Sequence, residues 1–168
     1  MKKFLLLTVM AVFALSLSAM ADEAVIRRTD YEGMGVVEVE FTRDVNYKDL
    51  QITVLDAQQQ PCEVTVLEVD DDDLRFQVEN TSAGSEYSFT ISGVRAGRSG
   101  DYGSVSGSFA VPGNVSVGPE GWVLDGNDLE VERDNGRLYY EGTINVDGVR
   151  YEVKVDAETG KVVEWERD

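Results

Sequence analysis

Residues 150–168 read "RYEVKVDAETGKVVEWERD". Tyr151, Val153 and Val155 alternate with charged residues, the period-two signature of a half-buried strand. "DAETG" then supplies a turn, with Asp156 placed to accept backbone N–H bonds and Gly160 to take a left-handed conformation. "KVVEWER" returns to extended chain. Working back from this hairpin, "VRYEVKV" is preceded by Asp147-Gly148, "RLYYEGTINV" by Asn135-Gly136, and the first of these strands is "DLEVER". Asn-Gly and Asp-Gly between alternating strands favour type I′ turns, which need positive φ at both central residues. The spacing predicts a four-stranded antiparallel meander over residues 127–168.

Further back the alternation continues. Val37, Val39 and Phe41 share a face, as do Leu50, Ile52 and Val54, then Cys62, Val64 and Val66, then Leu74, Phe76 and Val78. Tyr87, Phe89 and Ile91 follow, and Val105, Gly107, Phe109 and Val111 close the series. With a first strand near Ala24–Arg28, this makes about seven short strands separated by turn residues, the pattern of a small β-sandwich. Tyr87, three residues after Gly84 at the head of a strand, matches the position of a tyrosine corner, whose phenol bonds back to the preceding loop.

"VEVEFTRDV" (37–45), "DDLRFQV" (72–78), "GSEYSFTISGV" (84–94) and "GSFAVP" (107–112) resemble bacterial Ig-like domains of the fibronectin type III kind. No Cys pair or core Trp marks an antibody-type domain. "LYYEGTINVDGVRYEVKVDAETGKVVEW" (138–165) resembles a PepSY domain, with Asp156, Thr159 and Gly160 on its D-x-x-T-G turn. The expected fold is therefore mainly β: a leader at 1–21, an Ig-like β-sandwich at 22–112, a Gly- and Pro-rich linker or joining strand at 113–126, and a PepSY-like four-stranded antiparallel meander at 127–168.

The departure from the family pattern is upstream. PepSY units usually open with an amphipathic helix that covers one face of the sheet. Here "NVSVGPEGWVLDGN" (114–127) has Pro119, three Gly and no helical apolar stripe. Leu129, Val131, Leu138, Tyr140, Tyr151, Val153, Val155 and Trp165 cannot all stay wet, since burying each large apolar side chain stabilises by about 1.5–3 kcal/mol. Either the sheet packs on the sandwich, the intramolecular default, or it shows its face to a partner. Trp122 is the candidate wedge between the two units.

The N-terminus begins with Lys2 and Lys3, an apolar run from Phe4 to Leu17 and the small-x-small site Ala19-Met20-Ala21. This is the pattern of a secretory signal peptide cleaved near Ala21, and the run is shorter than the ~20 residues of a membrane span. No Cys follows the site to carry a lipid anchor. Secretion or a periplasmic location follows as an expectation, with no membrane span in the mature form. Losing Lys2 and Lys3 takes the formal net charge from −17 to −19. Such a surface repels phosphate backbones, which excludes nucleic acid as a partner.

The chain has no His and one Cys. Ser-His-Asp and Cys-His catalysis, His-ligated zinc and an intramolecular disulfide are all excluded. Cys62, in apolar register, reads as a small core hydrophobe. No catalytic residue or cofactor is expected. Asp70, Asp71, Asp72 and Asp73 form the one candidate metal site, for calcium, against the alternative of a solvated acidic turn. The candidate partner-binding residues are Arg95, Arg98 and Tyr102, in the Gly-rich loop 93–104, and Tyr151, Val153 and Trp165 on the uncovered sheet. The resemblance to PepSY implies a non-enzymatic, exported protein that binds another extracytoplasmic protein, a peptidase whose activity it regulates or inhibits. The rival readings are a calcium-dependent cell-envelope or adhesion module built on the Ig-like part, and a small carboxylate-based hydrolase.

Overall fold

The computed structural model describes residues 23–118 and 120–168. The expected leader and its cleavage site near Ala21, and Pro119, lie outside the described residues. The fold is mainly β, with several antiparallel sheets and no α-helix among the described residues.

Eight strands form the N-terminal part: β1 (Ile26–Tyr31), β2 (Val36–Phe41), β3 (Val45–Leu55), β4 (Pro61–Cys62), β5 (Val64–Val69), β6 (Asp73–Val78), β7 (Glu86–Ala96) and β8 (Gly103–Ala110). They make two four-stranded sheets, ordered β1-β2-β6-β5 and β4-β3-β7-β8. The alternating faces meet between the sheets: Val37, Val39, Phe41, Val54, Leu74, Phe76, Val78, Phe89, Ile91 and Phe109 are buried in one cluster. Phe76 and Phe89 meet edge to face across it, with ring centroids 5.7 Å apart. A Cβ on Gly107 would lie 2.5 Å from Cζ of Phe89, its partner across the β7–β8 ladder. The missing side chain is therefore the slot that the ring fills.

The run from Cys62 to Val66, predicted as one strand, is split between the sheets. Cys62 pairs with Val54 of β3, and after Glu63 the chain crosses so that Val64 pairs with Val78 of β6. Alternation survives the crossing because both faces point at the same core, and Cys62 and Val64 both pack on it. Burial pushes the Cys62 thiol up from its ordinary value. The tyrosine corner is present: the Ser82 N–H donates to the Tyr87 hydroxyl at 3.0 Å.

Beyond the sandwich, Val115–Val117 and Trp122–Leu124 pair as a hairpin, β9 and β10. A single 3-10 turn, η1 (Gly126–Asp128), follows, with Asp125 capping it by accepting from the Asn127 N–H. The chain ends in a meander of β11 (Glu130–Asp134), β12 (Arg137–Val146), β13 (Val149–Asp156) and β14 (Val162–Arg167), in that order. Both two-residue turns have positive φ throughout: Asn135 and Gly136 at 49° and 80°, Asp147 and Gly148 at 52° and 80°.

The segment expected as linker or joining strand is the cover of the meander. Val117 and Leu124 of the hairpin are buried with Leu129, Val153 and Val155 in a second cluster. Trp122, Tyr151 and Trp165 pack against it. Trp122 is thus not a wedge between the units; its ring meets Trp165 at 5.7 Å, and Trp165 meets Tyr151 at 5.6 Å. The expectation that the sheet packs on the sandwich is met only in part, at Val131; the hairpin covers the face at Val153 and Val155. A hairpin of two three-residue strands takes the place of the missing helix, because two short apolar strands and Leu129 suffice to dry a narrow face.

The meander joins the sandwich along β1 and β11. Asn127 is the hub of the junction. Its carbonyl accepts from the Met34 N–H at 2.7 Å and the Tyr31 hydroxyl at 2.8 Å, and its side-chain oxygen accepts from the Thr81 hydroxyl at 2.5 Å. Val131 packs on the sandwich core, and Asp30, buried, is paired with Arg28 and with Arg133 at 3.5 Å.

Candidate functional site

One face of the meander is closed by the hairpin; the other is open. Strand register decides which residues it carries. Glu130 lies opposite Glu141, which lies opposite Lys154, which lies opposite Glu164. One step along, Thr143 lies opposite Glu152, and Glu152 opposite Glu166. These residues, with Asp128, Arg150 and Met34, line an open groove of about 510 Å³. Met34 stands at the rim, 68% exposed, at a φ of 52° and with its N–H held by Asn127.

The cations on this face are committed. Lys154 is paired with Glu132 and, at 2.6 Å, with Glu141, and its ammonium lies 5.1 Å from the centre of the Tyr139 ring. The hydrogen bonds to Glu132 and Glu141 hold its pKa above the ordinary lysine value and Glu132 below the ordinary carboxylate value. Arg150 is paired with Asp168 at 3.1 Å. Among the described residues, Glu130, Glu152, Glu164 and Glu166 make no ion pair. Burial, and then the Glu141 and Glu32 carboxylates, raise the pKa of Glu130.

Two of the cross-strand pairs, Glu130–Glu141 and Glu152–Glu166, set like charges directly opposite each other. Such pairs are destabilising. The fold does not require them, since neutral polar residues would pair as well at open positions.

The Asp156 turn has the expected structure. Its Oδ1 accepts from the Thr159 N–H at 2.7 Å, the Thr159 hydroxyl at 2.8 Å and the Glu158 N–H at 3.1 Å, and Gly160 has a φ of 68°. These bonds, chiefly the one from Thr159 N–H, lower the Asp156 pKa.

Of the partner-binding residues expected from the sequence, Val153 is only 2% exposed and Tyr151 and Trp165 pack under the hairpin. This is a correction: the sheet face they occupy is covered within the chain, so a partner reaches Val153 only by displacing β9 and β10. In the 93–104 loop the Arg95 guanidinium stacks on the Tyr102 ring at 4.5 Å and donates to the Gly100 carbonyl at 3.2 Å, while Arg98 is exposed. Arg95 therefore stiffens its own loop.

Asp70, Asp71 and Asp72 form the turn between β5 and β6, and Asp73 opens β6. The turn's carbonyls are tied into the sandwich: Asp72 accepts from the Phe41 N–H at 2.8 Å and Asp71 from the Val45 N–H at 2.5 Å. Burial, then the Asp70 and Asp72 carboxylates, raise the Asp73 pKa. Among the described residues no group of three or more His, Cys, Asp or Glu side chains is arranged to hold a metal ion.

The residues that the sequence reading did not single out are the open-face glutamates and Asn127. The signal for the former was an acid at alternate positions of successive strands, which becomes a face only once register is known.

The pKa shifts predict an acid-side stability maximum. Glu38, Asp73 and Glu130 have folded values raised above the ordinary ones, chiefly by burial. They weaken the fold when ionised, so stability rises as pH falls from neutral into their titration range, down to the ordinary carboxylate values of about 4. Glu132 and Asp156 are lowered; their stabilisation is present above the ordinary value and is lost as pH falls through the depressed one. The melting temperature should therefore peak near pH ~4. A scan from pH 3 to 8 in which it falls steadily from pH 7 to 5 would contradict this.

The chain thus joins a β-sandwich to a small meander with one face capped and the other acidic and open. Residues 118–166 match the family PepSY, described as peptidase propeptide and YPEB domain. The match begins at the turn of the β9–β10 hairpin and runs into β14, so it takes in β10 of the cap together with the open face, and leaves out β9. No curated protein matches the chain. Among the described residues no helix is long and apolar enough to cross a membrane.

Proposed function

We propose that this is an exported, non-enzymatic protein that binds an extracytoplasmic peptidase and restrains or chaperones it through the C-terminal unit. The observation that carries this reading is the PepSY match over residues 118–166, a family of propeptide-type regulatory modules. The N-terminal sandwich, Ig-like in our reading of its strand order and Tyr87 corner, serves as the platform that holds the meander. The open acidic face supports the reading, because the like-charged pairs Glu130–Glu141 and Glu152–Glu166 are unfavourable in the free protein and are relieved by a basic surface.

The test is capture from the extracytoplasmic fraction on the immobilised chain. A peptidase should be retained, and its activity should change when the chain is added. Glu152→Gln with Glu166→Gln should raise the melting temperature slightly, yet weaken capture by about tenfold, as loss of close interfacial charge pairs does. Retention of no peptidase across salt conditions, or capture indifferent to the double substitution, would overturn the proposal.

A further inference from the structure

The second exposed feature lies on the sandwich, away from the acidic groove. β5 is the outer strand of its sheet and pairs on one side only, with β6. Val66 and Val69 stand opposite Phe76 and Leu74, both fully buried, so their side chains share the core side of the sheet. Yet Val66, Leu67 and Val69 are 43%, 49% and 45% exposed. The reason is topological. The crossing at Glu63 leaves only the two residues of β4 on the facing sheet, and the seam beyond them has no cover. Natural edge strands are blunted with Lys, Pro or a bulge. This edge has a bulge between Val66 and Glu68, but it has three apolar residues where a protected edge would carry Lys.

We propose that the free edge of β5 is a docking strand for an extended segment of a partner protein, with apolar residues at alternate positions and Lys or Arg at its N-terminal end. The charge around the seam selects that occupant. Glu63, Glu68, Asp70, Asp71, Asp72, Asp73 and Glu79 surround β5, and Arg75 answers only Glu68 among them, at 3.3 Å. The acidic turn is pinned by its backbone bonds to Phe41 and Val45, so its carboxylates are held at one end of the strand. An added antiparallel strand, continuing the pattern of the sheet, places its N-terminal residues beside Asp70–Asp73 and its alternate side chains over Val66 and Val69. A second copy of the chain fits badly. Symmetric pairing about Val66 brings Glu63 of each copy close to Asp70 of the other, on chains with a formal charge of −17.

The test uses the full chain and two synthetic strand peptides, Lys-Lys-Val-Thr-Val-Thr-Val and its Glu-Glu counterpart, followed by fluorescence anisotropy. The basic peptide should bind, more weakly as salt rises, and the acidic one should not. Val66→Thr with Val69→Thr keeps β-branched residues on the edge; it should leave the melting temperature unchanged and weaken the basic peptide by about tenfold, through lost apolar contact. Equal binding of the two peptides, no binding of either, or indifference to the double substitution would each overturn the proposal. So would sedimentation showing a dimer of the free chain that the same substitutions split, since the occupant would then be a second copy. Glu152→Gln with Glu166→Gln should leave peptide binding unchanged, which separates this seam from the acidic face of the meander.

Discussion

Leu129→Ala should unfold the C-terminal unit at denaturant concentrations that leave the sandwich intact. Leu129 is fully buried between the hairpin and the meander. It occupies a slot made for it: a Cβ on Gly142 would lie 2.5 Å from its Cδ2. Truncating such a leucine costs about 2–5 kcal/mol, in lost transfer energy and residual cavity. The second cluster has only five buried residues, against fifteen in the sandwich, so this loss is a large share of what holds the smaller unit. The two tryptophans give a clean readout, because Trp122 and Trp165 both pack in that cluster. Urea unfolding followed by tryptophan fluorescence should move to a lower midpoint, while the circular dichroism transition dominated by the sandwich stays in place. A shift of both signals together would mean that the two clusters melt as one core.

Gly126→Ala should disturb the junction itself. A Cβ there would lie 2.0 Å from the Pro112 carbonyl oxygen and 2.6 Å from the Gly113 carbonyl carbon. Both obstacles are backbone, so neither can rotate away. Overpacking of this kind costs typically 1–3 kcal/mol, and a backbone obstacle places this case at about 3 kcal/mol. The Gly126 N–H is also held by the Asn114 side chain at 2.9 Å. Any shift of η1 carries Asn127 away from Tyr31, Met34 and Thr81. The melting temperature should drop, and the Met34 amide should lose its hydrogen-exchange protection while amides in β6 and β7 keep theirs. An unchanged melting temperature would show that η1 moves off Pro112 without cost to the fold.

Much of the fold is legible in the chain. The alternating runs from Val37 to Val111 name the faces that meet in the sandwich core, because strand sidedness is set by backbone geometry over a few residues. Asn135-Gly136 and Asp147-Gly148 give the two tight turns for the same reason: few residues adopt positive φ without strain. Tyr87 and Asp156 declare bonds made within five residues. The hairpin at 115–124 was illegible, since two strands of three residues, separated by glycines, are too short to show a period. So was the crossing at Glu63, where the alternation runs on although the partner strand changes.

The local sequence therefore determined β structure, turn placement and sidedness, all of which depend on neighbours a few residues apart. Only the tertiary structure decided what lies against what. It put the hairpin over Tyr151, Val153 and Trp165, closing the face that the sequence left open. Through register it gathered Glu130, Glu141, Glu152, Glu164 and Glu166 from four strands onto the opposite face. Cover and register depend on contacts between distant segments, and no local pattern in the chain encodes them.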